Sequence, residues 1–137
     1  MTPGIDTAGL RRVRDEIVAD PAHFSMRDWV SESGCLCIGG RAALAAGFIT
    51  LRSERNTETG RLYDLTEAGA ACGEHPYDEA RFRVALNLTP EEADRLFDVE
   101  KWPQPLYVDY AKARSPQARA DIAVRRIDLF IRTRGRE

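Results

Sequence analysis

Hydrophobic residues recur at helical spacing at both ends of the chain. Near the start, three of them predict a helix over about residues 7–20 that Pro21 ends: Leu10, Val13 and Ile17. Near the end, a longer stripe predicts a helix that begins at Ser115 and Pro116: Ala120, Ala123, Val124, Ile127, Phe130 and Ile131. We expect this stripe to be buried against the apolar face of the first helix.

Capping residues mark the helices between these two. In "LTPEEADRLF", Thr89 stands at the N-cap, Pro90 at the first helical position and Glu92 three residues after the cap, as in a capping box. The remaining predicted segments are a turn at 25–29 capped by Ser25, a buried alanine-rich helix at 38–48, a helix at 66–71 capped by Thr66, and helices at 76–86 and 106–113.

Residues 48–65 follow a different pattern. Two short β-prone segments, 48–51 and 61–65, flank a polar run that ends in Gly60, and this arrangement predicts a β-hairpin. No internal repeat or linker divides the sequence. It therefore predicts a mainly α fold: a single domain over residues 1–137, with six or seven short helices and one small β-hairpin at about residues 48–65.

The composition is typical of a globular protein. Of the 137 residues, 43% are hydrophobic and 31% are charged. The longest apolar run, 42–51, is about half the length of a bilayer span, and the first residues contain no apolar export segment. We therefore expect a cytoplasmic protein without a membrane partner, and three cysteines do not suggest a disulfide framework.

Charge is distributed unevenly, although the net charge is only −2. Residues 64–100 contain ten acidic residues against three arginines, whereas residues 114–137 contain seven arginines against three acidic residues. Either these are faces of neighbouring helices that attract each other, or the second region is a basic strip for a phosphate-bearing partner. Arginine outnumbers lysine 18 to 2, which we interpret as the mark of a GC-rich genome.

Three cysteines and a histidine form the most suggestive set of metal ligands. Cys35 and Cys37 precede the hairpin, and Cys72 and His75 follow it, so that a zinc ion bound by all four would tie its ends together. The competing interpretation is that Cys37 is buried beneath the 38–46 helix as a packing residue. We expect that packing role, without a disulfide to Cys35, which would be strained over so short a loop.

No arrangement of residues predicts catalysis. Cys37 and His75 come nearest to a nucleophile and its base, but no third residue orients them. The stretch Gly39-Gly40-Arg41 could form an anion-binding turn, but we favour close packing of a helix at this position. His23 is interpreted as a packed or surface residue. The Glu91–Glu92 pair fits the first turn of a helix, where the helix dipole favours acidic side chains. We expect no enzymatic activity, no catalytic residues, no cofactor and no metal.

Four segments carry a resemblance over most of the chain: "FSMRDWV", "GCLCIGGRAALAAG", "LNLTPEEADRLFDVEKWP" and "RRIDLFI". Together they resemble a set of short uncharacterised proteins from actinobacteria and bacteriophages, which share Met-x-x-Trp, Cys-Ile-x-Gly-x-Ala and Leu-Thr-x-x-x-Ala-x-x-Leu-Phe patterns. Cys37 matches the cysteine of that stretch and Cys35 departs from it, which counts against a metal pair. The resemblance supports the predicted fold and implies no reaction.

A second resemblance is local. "GFITLRSERNTETGRLYDLTEAGAA" is similar to the wing of winged-helix transcription regulators of the multiple-antibiotic-resistance type. The resemblance implies two helices within residues 26–49, a recognition helix at 38–46 in the major groove, and phosphate contacts from three arginines: Arg52, Arg55 and Arg61. Only Arg41 of that helix is suited to reading a base edge, and the net charge is negative.

The sequence as a whole favours a small intracellular binding protein without catalytic activity that acts through a protein partner, and the first resemblance implies a bacteriophage origin. Nucleic acid is a less favoured partner. The alternatives are a winged-helix DNA-binding regulator and a zinc-stabilised module built on Cys35, Cys37, Cys72 and His75.

Overall fold

The described part of the chain consists of seven α-helices, two 3₁₀ turns and one β-hairpin. The computed structural model describes residues 4–26, 36–56, 60–71 and 79–136, with the backbone alone for residues 51–56, 60–65 and 79. The elements are α1 (Thr7–Ala19), a 3₁₀ turn (Pro21–His23), α2 (Ile38–Ala45), β1 (Ile49–Asn56), β2 (Gly60–Leu65), α3 (Glu67–Ala70), α4 (Glu79–Val84), α5 (Pro90–Phe97), a 3₁₀ turn (Val99–Lys101), α6 (Leu106–Lys112) and α7 (Pro116–Thr133). The predicted mainly α fold with one hairpin is confirmed.

The core is organised around α1 and α7, which pack side by side. The predicted apolar face of α1 is fully buried, since Leu10, Val13 and Ile17 are each 0% exposed. Ile127 and Phe130 of α7 are also 0% exposed and belong to the same hydrophobic cluster. Burial of each large side chain contributes about 1.5–3 kcal/mol. The predicted packing of the C-terminal stripe on the first helix is therefore confirmed.

These two helices run antiparallel. Arg14 of α1 donates a hydrogen bond to Asp128 of α7 at 2.7 Å. Ile5, which precedes α1, lines the same small cavity as Arg134 and Gly135, which follow α7. Residues of α1 before Arg14 are therefore level with residues of α7 after Asp128.

The predicted caps are present. The Thr89 hydroxyl accepts a hydrogen bond from the Glu92 N–H at 3.2 Å, and the Glu92 carboxylate accepts one from the Thr89 N–H at 2.8 Å. Ser115 and Thr66 each accept a hydrogen bond from the backbone N–H three residues later, at 3.1 Å. Local sequence therefore determines where α3, α5 and α7 begin.

Helix α2 ends at Ala45, three residues earlier than predicted. Gly47 has a φ of +78°, a conformation that glycine adopts without strain. Its N–H donates to Leu44 at 3.1 Å, and the Phe48 N–H donates to Ala43 at 2.8 Å. This pair of bonds is a Schellman motif, which ends the helix and turns the chain into β1.

The predicted hairpin is confirmed as an antiparallel pair. It extends from Ile49 opposite Leu65 to Asn56 opposite Gly60, with two irregularities in register. Strand β1 continues to Asn56 and does not end near Leu51 as predicted, because backbone pairing with β2 extends into the polar run.

Two further predictions fall partly outside the described residues. Of the turn predicted at 25–29, residues 27–29 are not described, and the Ser25 N–H donates to the Leu36 carbonyl at 3.2 Å. Of the helix predicted at 76–86, residues 79–86 are described, and α4 ends at Val84, two residues earlier than predicted.

Three arginines are buried in the core, a feature that the sequence analysis missed. Arg41, Arg81 and Arg126 are 6%, 0% and 0% exposed. Each donates to a backbone carbonyl at the C-terminal end of another helix: Arg41 to α1, Arg81 to Gly69 of α3 and Arg126 to Arg95 of α5. Carbonyls at the end of a helix are under-satisfied and carry partial negative charge, so a buried guanidinium group finds acceptors there.

The end of α1 shows this arrangement in detail. Arg41 donates to the Glu16 carbonyl at 3.2 Å and to the Asp20 carbonyl at 2.8 Å. The Asp20 carboxylate in turn lies 2.9 Å from Nδ1 of His23. The carboxyl group of Glu16 is less favourably placed: burial raises its pKa, and the nearby charges of Arg41 and Arg12 counter only part of that effect.

We expect Thr89→Ala to lower the free energy of unfolding by about 1 kcal/mol, because it leaves the first turn of α5 without its side-chain acceptor. Urea denaturation followed by circular dichroism measures the change. Thr89→Ser keeps the hydroxyl group and is the matched control, with most of the wild-type stability retained. Equal stability of the alanine variant and the wild type would contradict the proposed cap.

We expect Glu16→Gln to stabilise the protein at pH 7, because a carboxyl group with a raised folded-state pKa is penalised once it is charged. The folded protein holds this proton more tightly than the unfolded chain does. Wild-type stability therefore falls as the pH rises from the ordinary value of 4.5 through the raised pKa, whereas the variant lacks this loss. Urea midpoints between pH 3 and pH 8 test the difference, with exposed Glu100→Gln as control. An advantage that grew at acidic pH would contradict it.

Candidate functional site

A groove of about 670 Å³ lies between α1 and α7, beside the start of α6. Four arginines line it, Arg11 and Arg14 from α1 and Arg125 and Arg132 from α7, and the other lining residues are Gln104, Pro105, Leu106, Asp128, Leu129 and Ile131. We call this surface the arginine groove.

Helical spacing explains why these side chains meet. On α7, Arg125, Asp128, Leu129 and Arg132 are three, four and seven positions apart, which places them along one face of the helix. The two arginines of α1 are three positions apart and share a face for the same reason. Because α1 and α7 are antiparallel neighbours, both faces border the same groove.

Two of the four arginines contact carboxylates of the protein itself. Arg14 donates to Asp128 at 2.7 Å, and this hydrogen bond raises the pKa of its guanidinium group, which stays charged. Arg125 lies 3.5 Å from the carboxylate of Asp109 in α6. The second pair is exposed on both sides, so its contribution to stability is small, about 0–1 kcal/mol.

The other two arginines are open to solvent. Arg11 and Arg132 are exposed, and no carboxylate within the described ranges forms an ion pair with either of them. Arg11 is three residues before Arg14 and Arg132 is four residues after Asp128, so the antiparallel arrangement places them level with each other. One end of the arginine groove therefore presents two guanidinium groups, each with five N–H donors, to an external anion.

The floor of the arginine groove is apolar. Leu106 is only 5% exposed, and Leu129 and Ile131 are half-buried against the hydrophobic core. The lining residues include no hydroxyl, thiol or imidazole group. The chemistry of this surface is therefore the recognition of negative charge combined with the burial of an apolar group.

Cys37 is buried as predicted, but it lies at the N-terminus of α2 and not beneath the helix. It is 3% exposed, and its Sγ accepts a hydrogen bond from the Gly40 N–H at 3.3 Å, so it is the N-cap residue. This capping role was not foreseen, since oxygen-bearing side chains dominate N-caps. The other three residues of the zinc hypothesis, Cys35, Cys72 and His75, lie outside the described residues. Among those described, no three histidine, cysteine or carboxylate side chains are grouped as a metal site.

The helix that the winged-helix hypothesis assigns to DNA recognition belongs to the core. Residues 38–43 of α2 are all buried, and Arg41, the one residue suited to reading a base, holds the carbonyls at the end of α1. A helix in the major groove must expose such residues. Arg52, Arg55 and Arg61 lie on the hairpin strands, where the structure describes the backbone alone.

The remaining candidates have structural roles. In Gly39-Gly40-Arg41 both glycines are buried, and the backbone N–H groups of Gly40 and Arg41 donate to Cys37, which favours the packing interpretation. His23 is half-buried beside Asp20, as expected of a packed residue. The Glu91–Glu92 pair lies in the first turn of α5, where the helix dipole favours it.

The basic strip predicted from the sequence supplies one wall of the arginine groove, and no pattern in the sequence was interpreted as the other wall. The basic strip at 114–137 contains Arg125 and Arg132, but the contribution of α1 was not anticipated. The available signal was the pair Arg11 and Arg14, three positions apart beside the apolar stripe of α1. The two walls form one groove only because α1 and α7 pack antiparallel, and local sequence patterns do not specify that contact.

We expect the Cys37 thiol to react slowly with an alkylating reagent until the protein unfolds, because it is 3% exposed. A protein carrying Cys35→Ser and Cys72→Ser isolates its signal, and labelling in urea gives the reference rate. Adding His75→Ala to that protein should leave the rate unchanged. Rapid alkylation near pH 6 that disappears with this replacement would instead indicate a histidine-activated thiol.

None of the helices in the described ranges is long and apolar enough to cross a membrane. Comparison of the chain with protein families, with characterised proteins and with solved structures finds no match.

Proposed function

We propose that this chain is a non-catalytic binding protein of the cytoplasm that docks an acidic segment of a partner protein in the arginine groove. The observation that carries the proposal is the composition of the groove: four arginines surround a single aspartate above an apolar floor. Two of those arginines are open, so an incoming carboxylate or phosphate gains charge-assisted hydrogen bonds without displacing an internal partner.

A protein partner suits this groove better than a nucleic acid. Binding to a duplex requires a basic surface that follows many phosphates, whereas here the four arginines enclose a short groove and the net charge of the chain is −2. The half-buried Leu129 and Ile131 offer contacts to aliphatic side chains, which a sugar–phosphate backbone does not supply. Helix α2, which would have to enter the major groove of a duplex, is buried in the core.

The partner contact is small, and we expect transient association. The groove offers two open guanidinium groups and one apolar strip, and so few contacts are typical of weak, transient interfaces. Electrostatic attraction then contributes mainly to the rate of encounter, and it weakens as salt rises.

Fluorescence anisotropy with a labelled peptide of glutamate, leucine and alanine tests the proposal. We expect binding to the wild-type protein and none of the counterpart in which lysine replaces each glutamate. Arg132→Ala should weaken binding about fivefold, equivalent to about 1 kcal/mol. Arg114→Ala removes an exposed arginine that does not line the groove, and it serves as the matched control.

Two results would contradict the proposal. Equal losses of peptide affinity in Arg132→Ala and Arg114→Ala would show that binding depends only on the general charge of the surface. Tighter binding of a 20-base-pair duplex, lost in Arg132→Ala, would assign the groove to nucleic acid.

A further inference from the structure

We propose that the segment taken by the arginine groove is an amphipathic acidic α-helix that lies along α7 with an acidic residue at each end of its contact and apolar residues at the centre. The inference rests on the proposed function and adds the conformation and sequence pattern of the partner.

The spacing of the groove residues on α7 points to a helix. Arg125, Leu129 and Arg132 form a basic–apolar–basic line along one face, and the two arginines are seven residues apart, or about 10.5 Å along the axis. A second helix repeats its own face over the same seven residues, so carboxylates at positions i and i+7 match both arginines. In an extended strand, same-face residues recur about every 6.8 Å, and no repeat coincides with 10.5 Å.

The charges within the groove determine which ligand position carries an acid. At one end, Arg11 and Arg132 are level and both open. At the other end, Arg125 lies 3.5 Å from the exposed carboxylate of Asp109. This weak ion pair leaves other N–H donors of the Arg125 guanidinium group free. Each end therefore accepts a carboxylate, and the end with two open guanidinium groups accepts it more strongly.

The centre of the groove excludes an acid. Asp128 lies between Arg125 and Arg132 on α7, and its carboxylate is 2.7 Å from Arg14, so its negative charge offsets the positive charge of that arginine. A ligand carboxylate at this level would meet Asp128 and gain little from Arg14. Leu129 lies beside this ion pair, so the centre is suited to the leucines at positions i+3 and i+4 of the approaching helix.

The occupant is a partner protein's helix because its charge pattern must be complementary to these arginines. The straight trough between two packed helices also provides the groove into which a third helix packs. The groove residues of α7 lie within 125–132, about two turns of that helix, so the partner helix contacts it over about two turns.

Three labelled peptides of alanine-based helical sequence test the inference. The first has glutamate at i and i+7 and leucine at i+3 and i+4; the second exchanges the glutamates and leucines; the third is the first with a central alanine replaced by proline. We expect the first peptide to bind at least tenfold more tightly than either of the others, and to gain helical circular dichroism on binding.

The role of Asp128 has its own variant. Asp128→Asn removes the central negative charge, and we expect it to strengthen binding of the second peptide about fivefold while leaving the first within twofold. Glu100→Gln, which removes an exposed negative charge away from α7 and the groove, is the control and should change neither. If Asp128→Asn does not fold, as judged by thermal unfolding, the ranking of the three peptides on the wild-type protein decides.

The outcomes separate this inference from the proposed function. Equal binding of all three peptides, with the loss in Arg132→Ala retained, would overturn the helical pattern and leave the acidic docking site. Absence of binding for all three and for the peptide used above would overturn both. Light scattering that showed a dimer dissociated by the first peptide would replace the partner protein with a second copy of this chain.

Discussion

Buried arginines that donate hydrogen bonds to the ends of helices link the elements of this fold in pairs. A helix leaves its last four carbonyls without an internal partner, and a buried acceptor left unsatisfied costs about 1–3 kcal/mol. Arg41 joins α2 to α1, Arg81 joins α4 to α3, and Arg126 joins α7 to α5. Each bond satisfies a carbonyl and also fixes the position of one helix against another. Lysine, with one compact ammonium group, does not offer the same planar set of donors.

Helix α7, which supplies one of these core hydrogen bonds, also forms one wall of the arginine groove. On α7, Arg126 is 0% exposed and donates to the backbone of α5, whereas its neighbour Arg125 is exposed on the rim of the groove. Consecutive positions of a helix point about 100° apart, so one residue type serves the core and the next serves the surface. The antiparallel contact with α1 then adds the second wall.

Local patterns were sufficient for the features that depend on local physics. The apolar period of α1 and α7, the caps at Thr89 and Ser115, and the hairpin all follow from spacing within a few residues. The end of α2 was missed although Gly47 marked it. The buried arginines were missed for a deeper reason: burial of a guanidinium group depends on a carbonyl that is distant in sequence, such as Gly69 for Arg81. The excess of arginine therefore has a structural use that composition alone did not suggest.

The guanidinium group also determines how docking in the groove can be controlled. It keeps its proton at every pH at which a protein stays folded, so the four positive charges of the groove are constant. A surface lined by histidine would change its charge near neutral pH, and this one does not. If the groove binds an acidic segment as proposed, control of binding would rest with the partner: a phosphate added near its acidic residues would strengthen the contact, and amidation or masking of those residues would release it. Under that proposal the chain would present a constant charge, and the chemistry of its partner would decide when the two proteins associate.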